Sequence, residues 1–252
     1  VSSLRQRFLA RETLLGCFLT SPTESSVELL ALAQFDFLVI DTEHGFFNIE
    51  SVERMVRAAD SAGLPSVVRV PNCQASAETG RALDAGATGV LFPRADGVAA
   101  VKGAVESVKF GPIGKRGLAG VRANRYGTVP LDHYVVEATE ATSVMIQIET
   151  AGALNVAEEI AAERYVDLLF VGPNDLSQAL GVAGHYDDPR YRAAVQRVGA
   201  AAKAAGRGAG IMLRRTDQIA DFAALGFHVF TTSDRTLLAE SARSWRAALR
   251  KA

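Results

Sequence analysis

"FLVIDTEHGFFNIESVERMVRAADSAGLPSVVRVP", residues 37–71, decides the fold. It opens on a short apolar run that ends in Asp41, Glu43 and His44. A segment of helical period follows, and a second apolar run ends in Arg69. Short runs rich in Val and Ile on either side of an amphipathic segment predict strand, helix, strand. Gly63 stands where the helical period stops, a common helix C-terminal signal. A strand, a helix and a second strand in that order pair in parallel through a right-handed crossover.

The same unit recurs along the chain. Apolar runs at "LLGCFLT" (14–20), "TGVLFPRA" (88–95), "SVMIQIET" (143–150), "DLLFVGP" (167–173), "GAGIML" (208–213) and "HVFTTSD" (228–234) bring the strands to eight. Helical segments such as "ASAETGRALDAGA", "AGALNVAEEIAAE" and "DPRYRAAVQRVGAAAKAAG" lie between them. Eight such units in 252 residues predict an α/β protein, a single-domain (β/α)8 barrel over residues 1–252. An open doubly wound sheet is the other architecture for this pattern. One long stretch has no period, "FGPIGKRGLAGVRANRYGTVP" at 110–130. Loops of this length are usually functional or mobile.

Bulk properties narrow the function. With 48% hydrophobic and 22% charged residues the composition is that of an ordinary globular protein. A net charge of -1 gives no basic face, which argues against nucleic acid and anionic membrane as partners. No apolar run reaches the roughly 18 residues of a membrane span. The first residues, "VSSLRQRFLARETLLGCFL", carry scattered charges and lack the apolar core of a signal peptide. The two cysteines, Cys17 and Cys73, read as packing residues, and a pair of lone thiols fits a reducing cytoplasm.

In a barrel of this kind the site lies at the C-terminal ends of the strands. Asp41, Glu43 and His44 fall there, with Arg69, Gln147, Glu149 and, just past strand 6 in "GPND", Asp175. Side chains alternate across a strand. Asp41 therefore shares a face with Val39, Arg69 with Val67, and Glu149 with Gln147 and Met145, although sequence does not say which face is inward. Four carboxylates against one arginine cannot all remain ionised and unpaired in a low-dielectric pocket. Two readings stay open. Glu149 and Asp175 offer hard oxygen ligands with open positions, suited to Mg2+, Mn2+ or Co2+. Alternatively, Glu149 pairs with Arg69 and Asp175 caps the helix at "LSQAL".

Other chemistries find less support. None of the five lysines lies on a proposed strand, as a Schiff-base barrel enzyme requires, and Lys115 in the long loop is the only candidate. "GRGAG" at 206–210 precedes a strand, the wrong context for a dinucleotide site. "GPIGKRG" lacks P-loop spacing, though its backbone with Lys115 or Arg116 could meet an anion. His133, His185 and His228 show no ligand spacing, and Ser177 and Ser233 have no His–Asp pattern around them.

"FLVIDTEHG", "VVRVP", "LDAGATGVLFP", "GKRG", "QIET" and "LFVGPNDLSQALG" together resemble the HpcH/HpaI metal-dependent pyruvate aldolases, over nearly the whole chain. The resemblance implies a (β/α)8 barrel with an exchanged last helix in a homo-hexamer. It also implies a divalent metal held by Glu149 and Asp175, and a 2-oxo acid and an aldehyde as substrates. Arg69 matches the arginine that binds the pyruvoyl group, and His44 the histidine of the base function. Asp41 matches an acidic neighbour that holds the site together. Asp84 in "LDAG" matches an aspartate that reaches a neighbouring subunit's histidine. Gln147, Gly172, Pro173 and Asn174 match the substrate-binding segment beside the metal, but Asn174 stands where many relatives have alanine. The segment "LAGVRANRYG" also departs from relatives. The expected activity is reversible aldol cleavage of 4-hydroxy-2-oxo acids. The alternatives are oxaloacetate decarboxylase, a macrophomate synthase-like enzyme, and a non-catalytic barrel that binds a small acid.

Overall fold

The computed structural model describes residues 2–250. Eight strands, β1 (Leu14–Leu19), β2 (Phe37–Asp41), β3 (Ser66–Arg69), β4 (Gly89–Phe92), β5 (Ser143–Ile148), β6 (Leu168–Val171), β7 (Gly208–Met212) and β8 (Val229–Ser233), close into one barrel in chain order. Every pairing is parallel, including β1 with β8, which rules out the open sheet. Helices Glu24–Leu32, Ile49–Ser61, Ser76–Asp84 and Val98–Val108 follow the first four strands in turn. Leu131–Ala141 leads into β5, and Ala151–Asn155 and Ala157–Ala162 follow it. Pro173–Ala179 and Pro189–Ala204 follow β6, Ile219–Ala224 follows β7, and Asp234–Leu249 follows β8.

The barrel interior settles which strand face is inward. Val39, Val67, Leu91, Met145, Leu168, Phe170 and Val229 pack together inside it. Ile40, Val68, Ile146 and Ile148 belong to the outer layer, between sheet and helices. The face that carries Asp41, Arg69, Gln147 and Glu149 is thus the inner one. Each fully buried aliphatic or aromatic side chain contributes about 1.5–3 kcal/mol relative to exposure. Two such layers offset the cost of burying charges at one rim.

The other end of the barrel is plugged. Helix Leu4–Leu9, absent from the sequence reading, starts with a capping box between Ser3 and Gln6 and buries Leu4 and Phe8. The Phe8 ring meets Phe37 edge-on at 5.7 Å. Arg5 Nε holds the buried Asp167 carboxylate at 2.8 Å.

Residues 110–130 do not reach the carboxylate rim. Arg116 donates to Asp84 at 3.0 Å, and Arg122 donates to the Ala85 carbonyl at 2.7 Å and pairs with Asp60 at 2.6 Å. These anchors sit where helices Ile49–Ser61 and Ser76–Asp84 end, on the side from which the next strand begins. The segment therefore packs on the base and outer flank.

Helix Asp234–Leu249 buries no residue. Leu238, Trp245 and Leu249 are 73%, 78% and 66% exposed, where a helix on a barrel normally buries an apolar stripe. Among the described residues no helix is long and apolar enough to cross a membrane.

Candidate active site

The β2–β3 register sets Asp41 directly beside Arg69. Arg69 Nε donates to Asp41 Oδ1 at 2.8 Å and Nη2 to Oδ2 at 2.7 Å, a two-pronged pair. Nη1 lies 3.1 Å from Glu43 Oε2, and the guanidinium stands 5.0 Å over the Phe18 ring. Asp41 Oδ1 also accepts the backbone N–H groups of Glu43 and His44, at 3.1 and 3.2 Å. One buried carboxylate thus fixes both the arginine and the start of the loop that carries His44. The His44 side chain is 62% exposed, with Nε2 3.9 Å from Glu43 Oε2. Arg69 pairs with Asp41 and Glu43, so the alternative pairing with Glu149 is not formed.

Glu149 is buried and, among the described residues, forms no ion pair. Oε1 accepts the Arg94 backbone N–H at 2.7 Å, and Oε2 accepts the Gln147 amide. Burial pushes its carboxyl up to about 7, and the negative charges of Glu43 and Asp175 add to the rise against the Arg94 and Gln147 hydrogen bonds. Burial likewise raises Glu43, with Asp41 and Asp175 adding to the effect and Arg69 opposing it. Arg94 donates from the left-handed region, at φ +51°, a conformation that costs a non-glycine residue on the order of 1–3 kcal/mol. At Gly172 a Cβ would lie 2.5 Å from Glu149 Oε2 and 2.6 Å from Gln147 Nε2, so a larger residue would push these two side chains aside.

Asp175 lies in the first turn of helix Pro173–Ala179 and does not cap it. Gly172 holds the cap position without a side-chain bond, and Pro173 starts the helix. The Coulomb effects place Glu43, Glu149 and Asp175 in one field. Gln147 Oε1 is buried with no hydrogen-bond partner, and Glu43 Oε2 has only the ion-pair contact with Arg69. This donor set of hard oxygens, short of positive charge, fits a divalent ion. Among the described residues no group of three or more His, Cys, Asp or Glu is placed to hold a metal. An ion held by Glu149 and Asp175 would therefore have most coordination positions left for water and substrate.

The cavity above these groups measures about 210 Å³. Phe18 and Phe170, with ring centroids 5.8 Å apart, form its floor. Gly172, Pro173 and Asn174 line it beside Asp175, while Thr20, Met212, Ser233 and Arg235 supply a wall that sequence reading missed. Arg94 was missed as well, because it acts through its backbone. The Asn174 side chain turns to Tyr186, whose hydroxyl donates to Oδ1 at 2.6 Å.

Among the described residues no lysine lines the cavity. Lys109 is buried and donates to the Thr139 and Thr142 carbonyls, and Lys115 pairs with Glu106. Lys251 lies outside the described residues. Ser233 caps the last helix, Ser177 donates to the Asn174 carbonyl, and His228 Nε2 lies 3.3 Å from the Phe8 carbonyl. Asp84 is the exception among the expected site residues. It ends helix Ser76–Asp84 at the base of the barrel, so this chain does not bring it to its own site. A larger cavity, about 620 Å³, opens at the base beside Arg116, Arg122 and Tyr134. It lacks the carboxylates and Arg69.

The HpcH/HpaI aldolase/citrate lyase family matches residues 14–238, a span that takes in all eight strands. The chain belongs to this family. It is a carbon–carbon lyase of the aldolase type. An HpcH/HpaI aldolase/citrate lyase family protein from Burkholderia cenocepacia superposes with a TM-score of 0.92 at 36% identity, covering 99% of this chain and 100% of that one. The 2-dehydro-3,6-dideoxy-6-sulfogluconate aldolase of Pseudomonas putida is 34% identical over 94% of this chain and 92% of its own. The hydroxypyruvate/pyruvate aldolase of Paraburkholderia phytofirmans is 38% identical over 82% of each chain.

Proposed function

We propose that this HpcH/HpaI protein is a divalent-metal-dependent pyruvate aldolase that reversibly cleaves 4-hydroxy-2-oxo acids to a 2-oxo acid and an aldehyde. The observation that carries the proposal is the buried Glu149 carboxylate, pushed up to about 7 beside Glu43 and Asp175 with no cation of its own. Glu149 and Asp175 would hold the ion, Mg2+, Mn2+ or Co2+. When bound it would supply Lewis-acid polarisation of the keto oxygen.

The chain's own groups do the rest. Arg69, clamped by Asp41 with its guanidinium over the Phe18 ring, binds the carboxylate and keto oxygen of the 2-oxo acid. Backbone N–H groups at Asn174 and Asp175 and the close approach at Gly172 orient the same carboxylate. His44, at the mouth, takes the proton from the carbon next to the keto group, directly or through a water it orients. That carbon then attacks the aldehyde carbonyl carbon, and the new alkoxide takes a proton back. In cleavage the steps reverse.

The same function suits one domain in a cytoplasmic homo-oligomer. Cys17 and Cys73 are free and buried, as in a reducing compartment. The unpartnered face of helix 234–249 suits exchange with a neighbouring copy, and Asp84 would then serve a neighbour's site. The test is exchange of the pyruvate methyl protons with solvent, with and without EDTA and each metal. Metal-dependent exchange is expected. Exchange that survives exhaustive chelation, or no exchange with any metal, would overturn the proposal.

A further inference from the structure

The wall that the sequence did not reveal bears on the acceptor. Arg69 and Arg235 are the two arginines that line the cavity. Arg69 is held by Asp41 and Glu43 and, in the proposed function, takes the donor's carboxylate. The Arg235 guanidinium makes no ion pair or hydrogen bond among the described residues. It lies 5.3 Å from the centroid of the Phe46 ring, a contact that positions a guanidinium without neutralising it. Its backbone is pinned as well. The Arg235 N–H donates to Asp234 Oδ1 at 2.7 Å, and Asp234 also accepts from Thr20, through N–H at 2.9 Å and Oγ1 at 2.7 Å.

Arg235 also sits apart from the donor-binding groups. Asp41, Arg69, Glu149 and Asp175 come from β2, β3 and the ends of β5 and β6. Arg235 follows β8, which pairs with β7 and β1. A substrate held at the floor by the first set extends toward this wall. Asp41, Glu43, Glu149 and Asp175 face Arg69 and, acting on Glu43, Arg94; a divalent ion would bring this set to neutrality, and a bound 2-oxo acid would leave it net negative. A second anionic group would be repelled unless a free cation met it there.

We infer that Arg235 determines acceptor specificity, binding a terminal anionic group (carboxylate, sulfonate or phosphate) on the aldehyde half of the substrate. The inference deepens the aldolase function proposed above and rests on it. Charge-assisted bonds of this kind change kcat/KM by about 10- to 100-fold.

The experiment compares the metal-loaded wild type with R235Q, R235K and R235E, using pyruvate as donor. Acceptors are aldehydes of equal chain length ending in carboxylate, sulfonate, phosphate or neutral amide. In the wild type the best anionic acceptor should exceed the amide in kcat/KM. The ratio should fall about 10- to 100-fold in R235Q, recover partly in R235K and fall below unity in R235E. The three anionic arms identify which headgroup fits. A ratio equal in wild type and R235Q overturns the role of Arg235. Pyruvate methyl exchange in the same wild-type sample separates the two failures. Exchange with an unchanged ratio refutes this inference alone, and absence of exchange refutes the aldolase function and this inference with it.

Discussion

Tyr186 donates its hydroxyl proton to Asn174 Oδ1 at 2.6 Å, and the Arg214 guanidinium lies 4.3 Å from the centroid of the same ring. Asn174 immediately precedes Asp175, so the contact ties the start of helix Pro173–Ala179 to the segment ahead of helix Pro189–Ala204. N174A and Y186F should each lower stability by about 0.5–1.5 kcal/mol, with the double variant costing little more than either alone. Denaturant unfolding of the four proteins measures the coupling. Strictly additive effects would mean that the bond contributes nothing.

Arg69 satisfies two carboxylates with one planar group, which a lysine ammonium cannot do. R69K should lower kcat/KM for pyruvate addition by about 100-fold or more while the chain stays folded by circular dichroism. An unchanged value would remove Arg69 from substrate binding.

Under the proposed function, Glu149 would link metal, proton and stability. Its folded pKa of about 7 lies above the ordinary 4.5, so the folded protein binds the extra proton more tightly than the unfolded chain does. In metal-free protein its contribution to stability is complete below about 4.5 and is lost as pH rises through about 7. The metal needs the ionised form, so apparent affinity should fall by up to about tenfold per pH unit below 7. E149Q should flatten the pH dependence of metal-free Tm and abolish metal binding in equilibrium dialysis. Wild-type metal affinity that does not change between pH 5 and 8 would argue against Glu149 as ligand.

His44 has the exposure and position to exchange protons with a substrate held below it. H44A should lower kcat by about 100-fold or more with metal affinity kept. The limb of the pH–rate profile that reports this proton transfer should vanish. If His44 only braces the loop, KM and Tm would change and the profile would keep its shape. Methyl-proton exchange of pyruvate against pH, for both proteins saturated with metal, separates the cases.

The exposed stripe on helix Asp234–Leu249 should be covered in the assembled protein. If the chain forms the homo-oligomer proposed above, replacing Leu238 and Trp245 with glutamate should move it to smaller species in light scattering. A wild-type monomer at micromolar concentration would count against the exchange.

Strand parity made much of the site legible. Alternation grouped Asp41 with Val39, Arg69 with Val67, and Glu149 with Gln147, and barrel closure turned all of them inward. Backbone geometry was not legible. Nothing in "FPRAD" announces that Arg94 adopts a positive φ and aims its N–H at Glu149. Nor does "SDRT" reveal that Arg235 lines the cavity, because side-chain direction at a strand–helix junction depends on packing against Phe46 and Thr20. The length of segment 110–130 did not say where in the fold it packs. Its arginines find carboxylates and carbonyls at helix ends on the base, which no local pattern encodes.

Phe8 stoppers one end of the barrel, and Phe18 and Phe170 close the floor of the pocket. The pocket opens at the rim where the strands end. Whatever binds deepest must enter first and cannot depart while a second molecule stands in the doorway. Under the proposed function, synthesis would load the 2-oxo acid before the aldehyde, and cleavage would release the aldehyde before the 2-oxo acid. The sequence of arrivals and departures follows from the plug on helix Leu4–Leu9, at the end of the barrel farthest from the chemistry.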